Sequence, residues 1–191
     1  VEALRQLRPE LGYVELAHRL DRETSGCLML ALDRPTLVGL QSQLVAREGV
    51  RKHYLALVNG LLTEPSVVVE APLLTTRGED AIRRVMVAPD GQSARTGFAV
   101  RRSWQDEALL EIELFTGRTH QARVHAAHIG HPIAGDRIYG NSAFNRKLRK
   151  LGLGRLFLHA ERLRVIHPVT RVRHDFHAPL PETLTSVLDC L

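Results

Sequence analysis

Apolar and polar side chains alternate over long parts of the chain, with the period of two that is typical of β-strands. In residues 109–115, apolar even positions alternate with Glu111 and Glu113, which predicts a strand with one buried face and one wet face. Residues 95–104 lie on the other side of the polar turn 105–107. The two segments are therefore predicted to form an antiparallel pair.

Residues 52–58 carry apolar side chains on both faces, in two alternating rows that begin at Tyr54 and Leu55. Strands of this kind lie in the middle of a sheet, so a central strand is predicted here. The unbroken apolar run 27–32 predicts another buried strand. Further strand candidates are residues 67–69, 84–87, 157–167 and 171–177, and turn-rich sequence at 75–80 and 88–93 brackets the second of them.

Helical periodicity occurs between these strands. Asp33 can cap a helix that has Pro35 in its first turn, and Gly49 is predicted to end it. The leucines of this helix recur on one face, which predicts packing against the sheet. Other helices are predicted over residues 1–8, over 120–129, from a cap at Asn141 or Ser142 to about 151, and over the C-terminal residues up to 191.

Strands outnumber helices and follow one another in runs, which indicates the α+β class. We expect a mixed, largely antiparallel sheet flanked by helices. A length of 191 residues fits one domain with a substantial core, so residues 1–191 are predicted to form a single domain.

The composition excludes several classes of protein. No apolar run approaches the ~18 residues of a membrane span, and the first residues do not resemble a signal peptide. A cytoplasmic protein without a membrane partner is expected. Cys27 and Cys190 lie in apolar sequence and are predicted to be buried free thiols, because disulfides are rare in that compartment.

The chain carries a net charge of +5 and has a pI near 9.8, which suits a polyanionic partner, although many basic proteins bind no nucleic acid. The best candidate for contact with RNA is one basic helical segment, formed by Arg146, Lys147, Arg149 and Lys150. Secondary candidates, each better explained alone as a solvated face, are Arg83–Arg84, Arg101–Arg102, Arg162 with Arg164, and Arg171 with Arg173.

One stretch, residues 18–26, concentrates polar chemistry. Asp21 is predicted to lie on a loop held by the strand that follows, and catalytic groups are common on such loops. Arg19 and Arg22 flank Asp21, and their positive charges favour its ionised form. Taken by themselves, the same residues are better explained as an Asp-capped turn with surface ion pairs.

This stretch closely resembles the catalytic motif of the RluA-type pseudouridine synthases, which rearrange uridine in RNA to its C-glycoside isomer. Four further stretches resemble motifs of that family in the expected order: residues 52–60, 116–125, 130–136 and 156–160. The resemblance implies the catalytic fold of that family and an RNA substrate, with no cofactor.

The resemblance also implies three catalytic residues. Asp21 would supply the carboxylate that starts the rearrangement, by attack or by proton abstraction. Arg123 would keep that carboxylate charged through a two-point pair, unless it is a surface arginine. Tyr54 would stack on uracil and its hydroxyl could take the C5 proton, unless it is a core tyrosine.

Three further residues are implied to bind the substrate. Arg19 would help to fill the space that an extruded uridine leaves, with an ordinary phosphate or solvent contact as the alternative. Leu158 would wall the pocket, unless it is plain core. Arg118 would either brace the turn before the predicted helix at 120–129 or contact phosphate.

Four histidines lie between residues 120 and 131, but no two of them are four residues apart as in zinc proteases. No metal is therefore expected, and His18 is expected to be structural.

The segment 144–154 favours the branch of the family that acts on large-subunit ribosomal RNA over the branch that acts on transfer RNA. We expect a monomer with ribosomal RNA as its partner. A non-catalytic RNA-binding or ribosome-assembly protein remains an alternative. A glycosidase or nucleosidase is another, although no second acidic motif accompanies Asp21.

The chain departs from the family pattern in two respects. Members usually carry an earlier motif with Lys-Pro and Gly, and many carry an N-terminal S4-like RNA-binding domain. Neither is present, so a fragment of a longer protein is expected. Ala122 stands where a larger aliphatic residue is common, which is a small change in packing.

Overall fold

The computed structural model describes residues 1–77 and 83–191. These residues form five helices: α1 (Glu2–Leu7), α2 (Arg34–Ala46), α3 (Gln121–His128), α4 (Ser142–Lys150) and α5 (Glu182–Asp189). They also form eleven strands: β1 (Glu15–Leu16), β2 (Ser25–Gly26), β3 (Leu30–Ala31), β4 (Val50–Asn59), β5 (Ser66–Glu70), β6 (Leu73–Arg77), β7 (Arg83–Val87), β8 (Arg95–Ser103), β9 (Glu107–Leu114), β10 (Leu158–Ile166) and β11 (Arg173–His177). None of the helices in these two ranges is long and apolar enough to cross a lipid bilayer.

The strands are arranged around one seven-stranded sheet. Its main order is β11-β10-β4-β9-β8-β5, and all neighbours in that row are antiparallel. β2 pairs with β10 in parallel, while β1 with β3 and β6 with β7 form two small antiparallel sheets. The predicted α+β class, with a mixed and largely antiparallel sheet flanked by helices, is confirmed.

β4 lies inside the sheet, as predicted, and its alternating side chains separate two cores. Tyr54 and Ala56 belong to the core into which α3 packs. Leu55 and Leu57 point the other way, into a core shared with α4 and α5. We call the side of the sheet that carries Tyr54 the site face, and the opposite side the far face.

The helices begin where their caps predict. Asp33 caps α2 and Asn141 caps α4, and each side chain accepts a hydrogen bond from the backbone N–H three residues later, at 2.7 and 2.9 Å. The predicted end of α2 is wrong, because Arg47 and not Gly49 adopts the left-handed conformation that closes the helix, with φ of 62°.

The apolar run 27–32 does not form the single strand that was predicted. The backbone N–H of Cys27 donates to the carbonyl of Ala160 at 2.8 Å, whereas residues 30 and 31 pair with β1 instead. Met29 and Ala31 are buried in a separate small core against α2. Leu28 and Leu32 of the same run are exposed, so an unbroken apolar run specifies neither full burial nor the backbone partner.

Two smaller predictions also fail. The turn predicted at 75–80 is wrong up to residue 77, where β6 continues, and residues 78–80 lie outside the described residues. The thiols of Cys27 and Cys190 are free, but Cys190 is exposed and Cys27 only half-buried.

Candidate active site

The stretch 18–26 is fastened to β10 at its C-terminal end. Ser25 and Gly26 pair in parallel with His159 and Ala160, and the Ser25 Oγ lies 2.8 Å from His159 Nδ1. Arg155 Nη2 donates a further hydrogen bond to Ser25 Oγ at 2.9 Å. Gly26 has φ of 108°, and a Cβ there would lie 2.2 Å from the Ala160 carbonyl oxygen, so only glycine fits. These contacts determine where the loop before Ser25 lies.

Asp21 lies on that loop and lines a cavity of about 280 Å³ on the site face. A hydrogen bond of 2.9 Å from the Thr24 N–H to the Asp21 carbonyl closes the turn. The volume is close to the lower end of ligand pockets, roughly 300–1,000 Å³. The remaining lining residues are His18, Arg19, Leu20, Thr24, Lys52, Tyr54, Leu114, Gly117, Arg118, Thr119, His120, Gln121, Ala122 and Leu158.

Arg123, on α3, connects Asp21 to a buried acid behind it. Its Nε and Nη2 donate to the two carboxylate oxygens of Asp136 at 2.7 and 2.8 Å, and its Nη1 lies 3.5 Å from Asp21 Oδ2. The expected two-point pair between Arg123 and Asp21 is therefore wrong, because Asp136 occupies the fork. Arg123 is only 8% exposed, which excludes a surface arginine.

Asp136 and Arg123 stabilise each other's charged form. Burial would raise the pKa of Asp136, but hydrogen bonds from Arg123 and from the backbone N–H groups of Tyr139 and Ile138 outweigh it and lower that pKa. Burial would likewise lower the pKa of Arg123, but its hydrogen bond and ionic attraction to Asp136, together with the charge of Asp21, raise it. A permanently charged guanidinium nitrogen therefore faces Asp21.

Tyr54 and Leu158 belong to the hydrophobic core and to the cavity wall at once, with exposures of 7% and 3%. The core and pocket interpretations of both residues are thus compatible. Burial, and secondly the negative charge of Asp21, raises the pKa of Tyr54 far above its ordinary value. Its phenol keeps its proton at neutral pH.

Arg19 and Arg118 both line the cavity, whereas Arg22 does not. Arg19 is exposed at its mouth. Arg118 braces the turn before α3, because its Nε donates to the Ser93 carbonyl at 3.1 Å and its backbone N–H donates to Gln121 Oε1 at 3.0 Å. The bracing role of Arg118 is thus present in the structure, and its contact with phosphate stays a prediction.

The basic residues of α4 are not brought to the cavity. This helix packs on the far face through Phe144 and Leu148. Lys147 forms ion pairs where β9 begins. Its Nζ lies 2.8 Å from Glu107 Oε1 and 3.6 Å from Asp106 Oδ2, in the turn before that strand. The other three predicted cations, Arg146, Arg149 and Lys150, are exposed on α4, and their contact with RNA stays a prediction.

The sequence did not single out several residues that shape the site. Lys52 lines the cavity. Because residues two apart on a strand share a face, its position relative to Tyr54 could have predicted this. His120 also lines the cavity, with its Nδ1 2.9 Å from the Tyr139 hydroxyl. Asp136 carries no local signal for its pairing with Arg123, because only the fold joins them.

The histidines have structural bonds. His125 is fully buried, with Nε2 donating to the Ala71 carbonyl and Nδ1 paired with the Thr96 hydroxyl, both at 2.9 Å. The Nε2 of His18 accepts a bond of 3.1 Å from the Met29 N–H. Within residues 1–77 and 83–191, no group of histidine, cysteine and acidic side chains has the arrangement needed to hold a metal ion.

Comparison with known proteins gives consistent matches. A family profile described as RNA pseudouridylate synthase matches residues 2–128. Ribosomal large subunit pseudouridine synthase C of Haemophilus ducreyi is 43% identical over 188 residues, which cover 98% of this chain and 58% of that protein. The protein of the same name from Escherichia coli K12 is 43% identical over 193 residues, covering 100% of this chain and 60% of that protein. The chain thus spans about three fifths of the length of these relatives.

Two solved human structures have a similar fold. Human RNA Pseudouridylate Synthase Domain Containing 1 is 26% identical with a TM-score of 0.79, and the similarity covers 97% of this chain and 77% of that one. Human RNA Pseudouridylate Synthase Domain Containing 4 is 27% identical with a TM-score of 0.78, covering 98% and 81%. The sequence matches and the structural matches are therefore both to proteins named as pseudouridine or pseudouridylate synthases.

Proposed function

Because the chain belongs to the RNA pseudouridylate synthase family, we propose that it converts uridine to pseudouridine in large-subunit ribosomal RNA. The observation that carries this proposal is the position of Asp21 in a cavity, with a guanidinium nitrogen of Arg123 at 3.5 Å. The names of the similar Haemophilus and Escherichia proteins support this substrate class.

The reaction breaks the bond between ribose C1′ and uracil N1, turns the base, and joins C1′ to C5. The proton on C5 is lost and N1 gains one, so the product is an isomer. Asp21 starts the reaction, as a nucleophile or as a base, which requires its ionised form. Arg123 holds a guanidinium nitrogen 3.5 Å from Asp21 Oδ2, and Asp136 positions Arg123.

Tyr54 and Leu158 provide the apolar walls between which the uracil ring is held. Since the Tyr54 phenol is neutral, it can take the C5 proton only while passing its own proton to a neighbouring base. Arg19 lies at the cavity mouth, where it can help to fill the place of the extruded nucleotide.

The remaining assignments follow from this activity. Residues 1–191 act as one catalytic domain, and Arg118 joins Arg19 in holding the substrate. We also propose that the protein acts as a monomer. Because the proposed substrate is ribosomal RNA, we also propose that the activity is cytoplasmic.

Tritium release from RNA labelled at C5 of uridine tests the proposal, with a large-subunit ribosomal RNA transcript as substrate. The wild-type protein is expected to release tritium, and Asp21→Asn is expected to abolish release while RNA binding is retained. Release by the mutant would exclude Asp21 as the catalyst.

Two other outcomes favour the alternatives. RNA binding without any tritium release by the wild type would favour a non-catalytic RNA-binding protein. Free uracil among the products would indicate a glycosidase, because the rearrangement rejoins the base to the same ribose and releases none of it.

A further inference from the structure

A second hollow opens beside the cavity on the site face. It has a volume of about 340 Å³ and shares His18, Lys52 and Arg118 with the cavity lining, so the two are contiguous. One wall is the C-terminal turn of α2, the floor is the start of β4, and the other wall is the turn after β9. We call it the α2–β4 groove; its principal residues are Gln43, Arg47, Val50, Lys52, Phe115 and Arg118.

The lining of the groove is cationic. Lys52, Arg47 and Arg118 line it, and none of its described lining residues is Asp or Glu. Elsewhere on the sheet, cations are matched by acids, as with Arg164 and Asp175 at 2.7 Å. Glu113 lines an adjoining hollow together with Arg47, but it pairs with Arg51 at 3.6 Å. The absence of acids from the described groove lining itself therefore leaves a local excess of positive charge.

Lys52 lies at the junction of the groove and the cavity. The Lys52 Nζ would lie 3.2 Å from a Cβ on Gly117. The ammonium therefore rests against the turn after β9, which lines both the cavity and the groove. Among the described residues, none forms a hydrogen bond or an ion pair with this ammonium. Burial lowers the pKa of Lys52, as expected for an ammonium that has no acidic partner in the described structure to offset its desolvation.

An uncompensated, partly buried cation is unfavourable for folding, and a ligand anion would offset that cost. We propose that the α2–β4 groove binds the sugar–phosphate backbone of the nucleotide next to the target uridine, with Lys52 and Arg47 on its phosphates. This inference rests on the proposed function, because it takes the cavity to hold the uridine. It extends the RNA-contacting surface along the site face, away from the far-face cations of α4.

Salt dependence of RNA binding measures phosphate contacts directly. The probe is a short single-stranded oligouridylate, bound at several salt concentrations by the wild type, Lys52→Gln, Lys52→Arg and Arg47→Gln. Each neutralised contact is expected to reduce the slope of log K against log salt by about 0.7, and Lys52→Arg is expected to restore the wild-type slope. Arg34→Gln is the matched control, because Arg34 is exposed at the opposite end of α2 from Arg47.

Thermal unfolding separates this role from a structural one. Lys52→Gln removes an uncompensated charge, so its midpoint is expected to equal or exceed that of the wild type while RNA affinity falls. Wild-type slopes for both Lys52→Gln and Arg47→Gln would overturn the proposal. So would a slope change confined to Lys52→Gln and accompanied by a lower midpoint, because that pattern indicates damage to the fold.

Tritium release by the wild type, measured on the ribosomal RNA transcript, keeps this test independent of the proposed function. Normal tritium release together with unchanged salt slopes in the variants would reject phosphate binding in the groove and leave the proposed activity intact. Reduced slopes without release reject the proposed activity and leave the groove as a phosphate site.

Discussion

Arg123 and Asp136 form a two-point ion pair inside the protein, with Nε–Oδ2 and Nη2–Oδ1 distances of 2.7 and 2.8 Å. A planar guanidinium held at two points cannot rotate. Its third nitrogen is therefore kept toward the cavity, where it meets Asp21. Asp21, the proposed catalytic acid, and Asp136, the acid that holds the guanidinium in place, thus lie on either side of one arginine.

Asp136→Asn should reduce both stability and activity, because it leaves the buried charge of Arg123 without its partner. Losing one member of a buried pair costs about 3–5 kcal/mol. Urea unfolding measures the loss, and tritium release measured well below the unfolding midpoint should also fall. Asp175→Asn, which removes the exposed partner of Arg164, is the control and should change neither quantity appreciably. Equal behaviour of the two variants would contradict a positioning role for Asp136.

Tyr54→Phe should keep RNA binding while slowing tritium release by about 10²-fold or more, since the ring wall is retained and the hydroxyl is lost. Tyr54→Ala should weaken RNA binding as well, by about 1–3 kcal/mol for the lost stacking contact. Single-turnover tritium release and equilibrium RNA binding separate the two effects. A wild-type rate for Tyr54→Phe would show that the hydroxyl takes no part in removing the C5 proton.

Stability should decline on acidification because of His125. Burial lowers the pKa of His125, and the unfolded chain therefore takes up a proton at a higher pH than the folded protein does. The folded state should lose stability as the pH falls below about 6.5, the ordinary value for histidine.

Urea unfolding between about pH 5 and 7.5 tests this dependence. His125→Gln should be less stable at the upper end and show a flatter pH dependence. His128→Gln, an exposed change on the same helix, should keep the wild-type slope. A wild-type slope in His125→Gln would assign the pH dependence to other groups.

Gly26→Ala should destabilise the protein and abolish activity. The residue combines φ of 108° with a Cβ position 2.2 Å from the Ala160 carbonyl oxygen, so the added methyl must push the loop that carries Asp21 away from β10. Gly130→Ala is the matched control, because Gly130 has φ of 84° with nothing within 4 Å of its Cβ position. The control should lose about 1 kcal/mol through backbone strain and keep tritium release. Comparable losses in urea unfolding would show that the contact with Ala160 is unimportant.

The triple variant Arg146→Gln/Arg149→Gln/Lys150→Gln should weaken binding of the long ribosomal RNA transcript but not of a short oligouridylate. The reason is that α4 lies on the far face, where only RNA distant from the target nucleotide can reach it. Lys147 is left unchanged because Glu107 already engages it. Equal affinity of this variant and the wild type for the long transcript would remove α4 from the RNA-binding surface.

Local sequence determined much of the secondary structure and the catalytic candidates. Asp33 and Asn141 cap helices through bonds three residues away, and the two apolar rows of β4 follow from strand geometry alone. Asp21, Tyr54 and Leu158 could be named because the stretches that contain them resemble motifs of one family. The structure then placed all three on the wall of one cavity.

Only the tertiary structure decided how these pieces meet. Ser25 and His159 are 134 positions apart, and their pairing fixes the loop that carries Asp21. The predicted two-point partner of Arg123 was wrong because two carboxylates lie near its guanidinium. The buried one, Asp136, accepts both of the paired hydrogen bonds. Lys52 acquires its unpaired, desolvated state only when α2 and the turn after β9 close over β4. Periodicity along a chain reports which side chains are buried, whereas the partner of a buried charge depends on contacts between distant segments.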